Sequence, residues 1–158
     1  EYTCFLNGNE NACTPEMFVR YAQIAALMPV MQFSASPWRV LPEADFQKVK
    51  AALALREKCL PEIFKAVECA KVTGEPIARS MEFVFPGQGM ERVMDQFMVG
   101  DALLVAPVWK QGEVVRSVTL PEGQWRCVSL GETEGDVLNG GRDVVLGEND
   151  GLVVLRRV

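Results

Sequence analysis

The stretch that most limits what this chain can fold into is Ala102 to Val108, the apolar centre of Asp95-Gln96-Phe97-Met98-Val99-Gly100-Asp101-Ala102-Leu103-Leu104-Val105-Ala106-Pro107-Val108. A short apolar run without alternation, bounded by Gly100-Asp101 and Pro107, reads as a strand buried on both faces. Before it the spacing of apolar residues is helical, and after it come short alternating runs separated by turn residues. The run is therefore a core strand at a junction.

In the helical part, Thr14-Pro15-Glu16 opens a helix, with Thr as N-cap, Pro at the first helical position and an acid near the positive end. Phe18, Tyr21, Ala22, Ala25 and Met28 recur on one face until Pro29 ends it. Val30-Met31-Gln32-Phe33-Ser34 predicts a short strand, and Ser36-Pro37-Trp38 a turn. Trp38 is read two ways: as a packing residue under a helix, or as an apolar wall on which a sugar ring stacks. Residues 43–73 predict a long helix with Phe46, Val49, Leu53, Leu60, Ile63 and Val67 on one face. Pro61 predicts a kink or break near Glu57–Leu60, and Gly74 a left-handed cap. Glu57, Lys58 and Glu62 read as a solvated charged face.

Ile77 to Phe85 alternates and predicts a strand, stopped by Pro86-Gly87. Gly89 to Met94 predicts a helical turn. Strands are expected near 102–108, 114–120, 123–129, 142–146 and 152–157, with turns at Gln111-Gly112, Pro121-Glu122-Gly123, Asn139-Gly140-Gly141 and Asn149-Asp150-Gly151. Such spacing suits an antiparallel sandwich. The two halves meet between Glu82 and Asp95.

Composition removes several function classes. Sixteen basic and 21 acidic residues leave a net charge of −5 without a basic patch, which argues against nucleic acid as a partner. No apolar run approaches the roughly 18–20 residues that span a bilayer, so no membrane partner is expected. Residues 1–15 lack the pattern of a signal peptide. Because the chain begins at Glu1 without a methionine, it reads as cut from something longer. Five scattered cysteines and no histidine provide no metal-ligand cluster, no cofactor motif and no histidine-dependent nucleophile. The thiols read as reduced and the compartment as cytoplasmic, with a Cys4–Cys13 bridge left open. Acid–base chemistry would fall to carboxylates. Asp95 with Asp101 is read as turn and strand-entry acceptors, and Glu132-Thr133-Glu134 as a hairpin tip.

Four ordered stretches resemble glycoside hydrolase family 31. They are Met17–Gln23 followed by Met28–Ser34 and Pro37-Trp38, then Thr73–Met81, then Asp95–Val108, and finally Val118–Trp125. The resemblance covers nearly the whole chain. It implies retaining glycosidases that act on α-linked sugars, with a (β/α)8 barrel and attached β-sandwich domains. On this basis the chain is expected to be an α+β fragment, with residues 1–85 as the end of the TIM barrel and 86–158 as a truncated antiparallel β-sandwich domain. The two catalytic aspartates of the family would lie upstream, so no catalytic residue is assigned here. Where many members carry Arg-x-His on the last barrel strand, this chain has Gln32 and Ser34. Gln-Phe-Ser-x-x-Pro-Trp resembles the branch containing the myogenesis-regulating glycosidase, some of whose members are α-galactosidases. Glucose and galactose both stay open as the terminal sugar. The resemblance implies carbohydrate contacts from Glu1, Gln32 and Ser34, with Trp38 at the pocket wall, and structural roles for Arg79, Asp95 and Asp101. The full-length enzyme is open to homo-oligomerisation. The alternative is a non-catalytic carbohydrate-binding or structural β-sandwich module with Trp109 and Trp125 as stacking residues.

Overall fold

A computed structural model describes residues 14–113, 115–128, 135–146 and 152–158. Helix α1 (Pro15–Ala26) starts as its sequence predicts: the Thr14 hydroxyl accepts from the Met17 amide at 3.2 Å, with Pro15 in the first turn. Its buried face is rotated from the one expected. Phe18, Val19, Ala22, Gln23 and Ala26 point inward, while Tyr21 is 56% exposed. A short helical turn α2 (Pro37–Val40) and the long α3 (Glu43–Thr73) follow.

Helix α3 runs unbroken through Pro61, and Gly74 closes it at φ +77. The expected break is absent, because a proline removes a single N–H donor and packing on both sides of it retains the helix. Val49, Ala52, Leu55, Cys59, Ile63 and Ala66 form the buried stripe. Leu53, placed on the core face by its hydropathy, lies at the exposed edge. Small alanines and a cysteine occupy the contact, so the helix lies close to what it covers. Glu62 also departs from the expected solvated face. It pairs with Arg156 at 2.7 Å and ties α3 to the last strand.

The predicted strand Ile77–Phe85 becomes two pieces, β1 (Ala78–Ser80) and the helical turn α4 (Met81–Val84). The Ser80 hydroxyl accepts from the Phe83 amide at 3.3 Å and caps that turn, which is what interrupts the extended run. Gly89–Met94 forms turns, with the Val93 amide on the Met90 carbonyl, and no helix. The remaining elements are β2 (Phe97–Val99), β3 (Leu103–Pro107), β4 (Arg116–Leu120), β5 (Gln124–Cys127), β6 (Val137–Asn139), β7 (Arg142–Leu146) and β8 (Leu152–Arg157). Strands β2 and β6 had no separate signal in the sequence. The expected turn Asn149-Asp150-Gly151, the tip Glu132-Thr133-Glu134 and the Cys4–Cys13 pairing lie outside the described residues.

All strand pairs are antiparallel. Six strands form one sheet in the order β1-β2-β3-β8-β5-β6, and β4 with β7 forms a separate ribbon. The central strands alternate between two cores. Leu103 and Val105 of β3, with Leu152 and Val154 of β8, meet Leu27, Leu55, Cys59 and Ile63 from the helices. Leu104, Ala106, Val153 and Leu155 point the other way, onto Val118 and Leu120 of the ribbon, with Trp125 and Met98 alongside. The result is three layers: helices, sheet and ribbon. The run 103–107 is apolar throughout because both of its faces are covered, and all five residues are buried.

Polar groups join the layers where they meet. Gln96, buried before β2, pairs both ways with Thr119 of β4: its Nε2 donates to the carbonyl at 2.8 Å, and its Oε1 accepts from the amide at 3.0 Å. This side chain supplies a ladder-like pair between sheet and ribbon. At the close approach of α3 to the β2–β3 turn, Gly100 has φ +54, and a Cβ there would stand 3.0 Å from the Ala66 Cβ.

Candidate functional site

Residues 30–34 do not form the predicted strand, since no ladder partner flanks them among the described residues. They nevertheless keep a two-residue alternation. Phe33 lies parallel to Phe18 with ring centroids 6.2 Å apart, and Met31 and Ala35 pack inward beside it. Val30, Gln32 and Ser34 face outward and are exposed. Gln32 and Ser34 thus share one face, presenting an amide and a hydroxyl, groups that both donate and accept. Trp38 follows on α2 and is 67% exposed. Glu1 lies outside the described residues.

Arg56 fixes the approach to this segment. Its Nη1 donates to the carbonyls of Ala26 (2.7 Å) and Met28 (2.6 Å), and its Nη2 to that of Pro29 (3.2 Å). A cation from α3 therefore satisfies carbonyls left open at the end of α1 and aims the chain into residues 30–34. Nothing in the local sequence marks Arg56, because its partners are main-chain atoms roughly thirty positions away.

A second clamp joins α1 to the loop after β3. Glu16 Oε1 accepts from the Gly112 amide at 2.8 Å and from Arg20, whose Nη1 donates to the Val108 carbonyl at 3.0 Å and Nη2 to that of Glu113 at 2.5 Å. The Gly112 amide, and after it Arg20, hold the Glu16 carboxyl below its ordinary value of 4.5.

The acids considered earlier also find arginines. Arg79, 5% exposed, donates to Asp101 at 2.6 Å and to the Pro76 carbonyl at 2.7 Å, and it pairs with Glu75 at 3.1 Å. Arg116 pairs with Asp95 at 2.6 Å and donates to its carbonyl at 2.9 Å. These contacts hold the turn before β3 and the entry to β2, as the structural reading of Arg79, Asp95 and Asp101 expected. Among the described residues no group of three or more metal-ligating side chains occurs. Cys59 and Cys69 are free thiols. Burial, with Glu62 nearby, raises the Cys59 thiol to about 11.

The stacking role considered for Trp125 is excluded by its position. It is fully buried, its Nε1 donates to the Pro121 carbonyl at 3.0 Å, and its ring meets Phe85 edge-on at 6.0 Å. Trp109 is 59% exposed, with the Lys110 ammonium 5.1 Å from its ring centre.

Residues 74–147 match the family model described as the Glycosyl hydrolase family 31 C-terminal domain. The chain belongs to glycoside hydrolase family 31. It is 38% identical over 112 residues to the myogenesis-regulating glycosidase of Mus musculus, a match that takes in 70% of this chain and 16% of that protein. Among solved structures it resembles the cycloalternan-forming enzyme from Listeria monocytogenes in complex with its pentasaccharide substrate, with a TM-score of 0.84 and 28% identity over 95% of this chain and 15% of that one. A family 31 alpha-xylosidase from a soil metagenome, complexed with xylose, gives a TM-score of 0.77 at 28% identity, covering 90% of this chain and 25% of that one. The chain thus spans about a sixth to a quarter of the family 31 proteins compared.

Proposed function

We propose that this chain is the C-terminal part of a retaining α-glycosidase that removes terminal α-linked glucose or galactose. In this reading residues 1–85 close the catalytic (β/α)8 barrel and residues 86–158 form the first β-sandwich domain behind it, with β1 crossing the seam as an edge strand. The observation that carries the proposal is the outward face of residues 30–34. It has strand-like alternation, a packed inner side and an unpaired outer side with Gln32 and Ser34 on it, as a barrel strand would have at the mouth of a sugar site. Gln32 and Ser34 would hydrogen-bond substrate hydroxyls, with Trp38 as wall and Glu1 as a further sugar contact. The free thiols Cys59 and Cys69 support a cytoplasmic location.

Retaining hydrolysis needs two carboxyl groups about 5–5.5 Å apart, one to attack the anomeric carbon as the other protonates the departing oxygen. Asp95 and Asp101 are engaged by Arg116 and Arg79 and are not assigned to either task. The pair is proposed to lie on barrel strands outside this sequence. The parental reading frame upstream of Glu1 should encode two such aspartates. The full-length protein should hydrolyse nitrophenyl α-glucoside or α-galactoside, with Gln32→Ala and Ser34→Ala raising KM more than they lower kcat. A reading frame without both aspartates, or unchanged kcat/KM in both variants, overturns the proposal. The 158-residue chain alone should show no turnover.

A further inference from the structure

On the side of the six-stranded sheet away from α1 and α3, a cleft of about 390 Å3 opens between residues 87–90 and the β4–β7 ribbon. Its volume falls in the ~300–1,000 Å3 range of small-ligand sites. Met90 and Leu120 lie buried beneath it, and the exposed Gln88, Glu122, Arg142 and Asp143 contribute polar groups. We propose that this cleft is a second carbohydrate-binding site, which holds a neutral stretch of an α-glucan chain remote from Gln32 and Ser34. The choice of ligand class rests on the glycosidase reading above; the site itself rests on its geometry.

The walls are fixed without a ligand. Glu82 Oε1 accepts from the Gly87 amide at 3.3 Å, and Gln88 Oε1 accepts from the Glu122 amide at 3.0 Å, so one rim is tied to the other. The Gly141 amide donates to the Leu120 carbonyl at 2.9 Å, and Arg142 Nε donates to the Asn139 carbonyl at 3.2 Å. These bonds leave the Gln88 amide nitrogen and the Arg142 Nη groups as donors, with the Glu122 and Asp143 carboxylates as acceptors. Sugar hydroxyls both donate and accept, and this set answers both. Two carboxylates against one guanidinium disfavour an anion such as phosphate. Because the sheet lies between them, the cleft and the face carrying Gln32 cannot share one bound ring.

The test is an NMR titration of the whole 158-residue chain with maltotriose and with isomaltotriose, with inorganic phosphate and calcium chloride as separate probes. Saturable shifts are expected at the amides of Gly87 and Gly141 and at Arg142 Nε–H. Arg142→Ala and Asp143→Asn should each weaken binding about tenfold or more, as loss of a charged hydrogen bond implies, and Gln32→Ala should leave it unchanged. Asp143→Asn preserves shape, so it reads binding even if Arg142→Ala unfolds. The proposal is overturned by an absence of saturable shifts at the cleft with either sugar, by binding indifferent to Asp143→Asn, or by shifts that only phosphate or calcium produces. Shifts confined to Gln32, Ser34 and Trp38 would overturn the cleft and leave the glycosidase reading standing. Cleft shifts in a chain whose parent lacks the two aspartates would do the reverse.

Discussion

Replacing Gly100 by alanine tests the closest contact between helix and sheet. Two costs are superimposed there. At φ +54 an L residue pays ~1–2 kcal/mol for the left-handed region. The new methyl would also stand 3.0 Å from the Ala66 Cβ, and an alanine side chain cannot swing aside. Ala66 is 4% exposed on α3, which is anchored by Cys59 and Ile63 in the helix-side core, so relief requires moving the helix. Overpacking of this kind costs ~1–3 kcal/mol. Gly100→Ala should therefore destabilise the chain by ~2–5 kcal/mol, a large share of the ~5–15 kcal/mol typical of a domain. Ala66→Gly removes the opposing methyl. Alone it should cost ~1–2 kcal/mol through helix propensity and a lost buried methyl. In its presence Gly100→Ala should cost only the backbone part, giving a coupling of ~1–3 kcal/mol in urea unfolding followed by circular dichroism. A Gly100→Ala variant within ~0.5 kcal/mol of the parent, or strict additivity of the pair, would refute the argument.

Three further outcomes follow from the clamps and the core, and one from a thiol. Glu16 has its folded-state pKa depressed, so its contribution is complete above 4.5 and is lost as pH falls through the lower folded value. The stability gap between the parent chain and Glu16→Gln should therefore be full at neutral pH and close on acidification; a gap that widens in acid contradicts the assignment. Arg56→Met leaves three carbonyls at the end of α1 without their cation and should cost ~2–3 kcal/mol by thermal melting. Trp125→Phe leaves the Pro121 carbonyl without its donor and should cost ~1–3 kcal/mol; sugar affinity lost with stability intact would instead revive a binding role. Mass-mapped alkylation at neutral pH should leave Cys59 unlabelled, since burial holds its thiol near 11, while the less buried Cys69 reacts.

The parts of the fold that could be read from sequence are those where local chemistry and tertiary demand agree. Thr14-Pro15 and Gly74 mark helix ends through capping that needs no distant partner. The run at 103–107 declares its double burial by lacking polar residues. Misreadings arose where the third dimension chose. Ser80 caps a turn inside an alternating run, and small residues, against the ranking by size, face the sheet on α3. Strands β2 and β6 are three residues long and are held by their neighbours' ladders, so their own patterns are too short to register.

The candidate site was legible for a different reason. Gln32 and Ser34 are ordinary residues, and only resemblance to a family singled them out; the geometry adds that both leave the same side of an extended segment whose other side is packed on Phe18. Asp95 and Asp101 carry the reverse lesson. Their spacing around an apolar strand would suit a carboxylate pair, yet each is held by a guanidinium that also bonds main-chain carbonyls, Arg116 to Asp95 and Ser117 and Arg79 to Pro76. Each arginine is at most a tenth exposed and needs its acid to offset a buried charge. A nucleophile must be free to reach the anomeric carbon, and a carboxylate engaged at 2.6 Å by a buried guanidinium is not. The stretch from Asp95 to Val108 therefore serves to lock three layers together, and its two acids are not assigned to bond breaking.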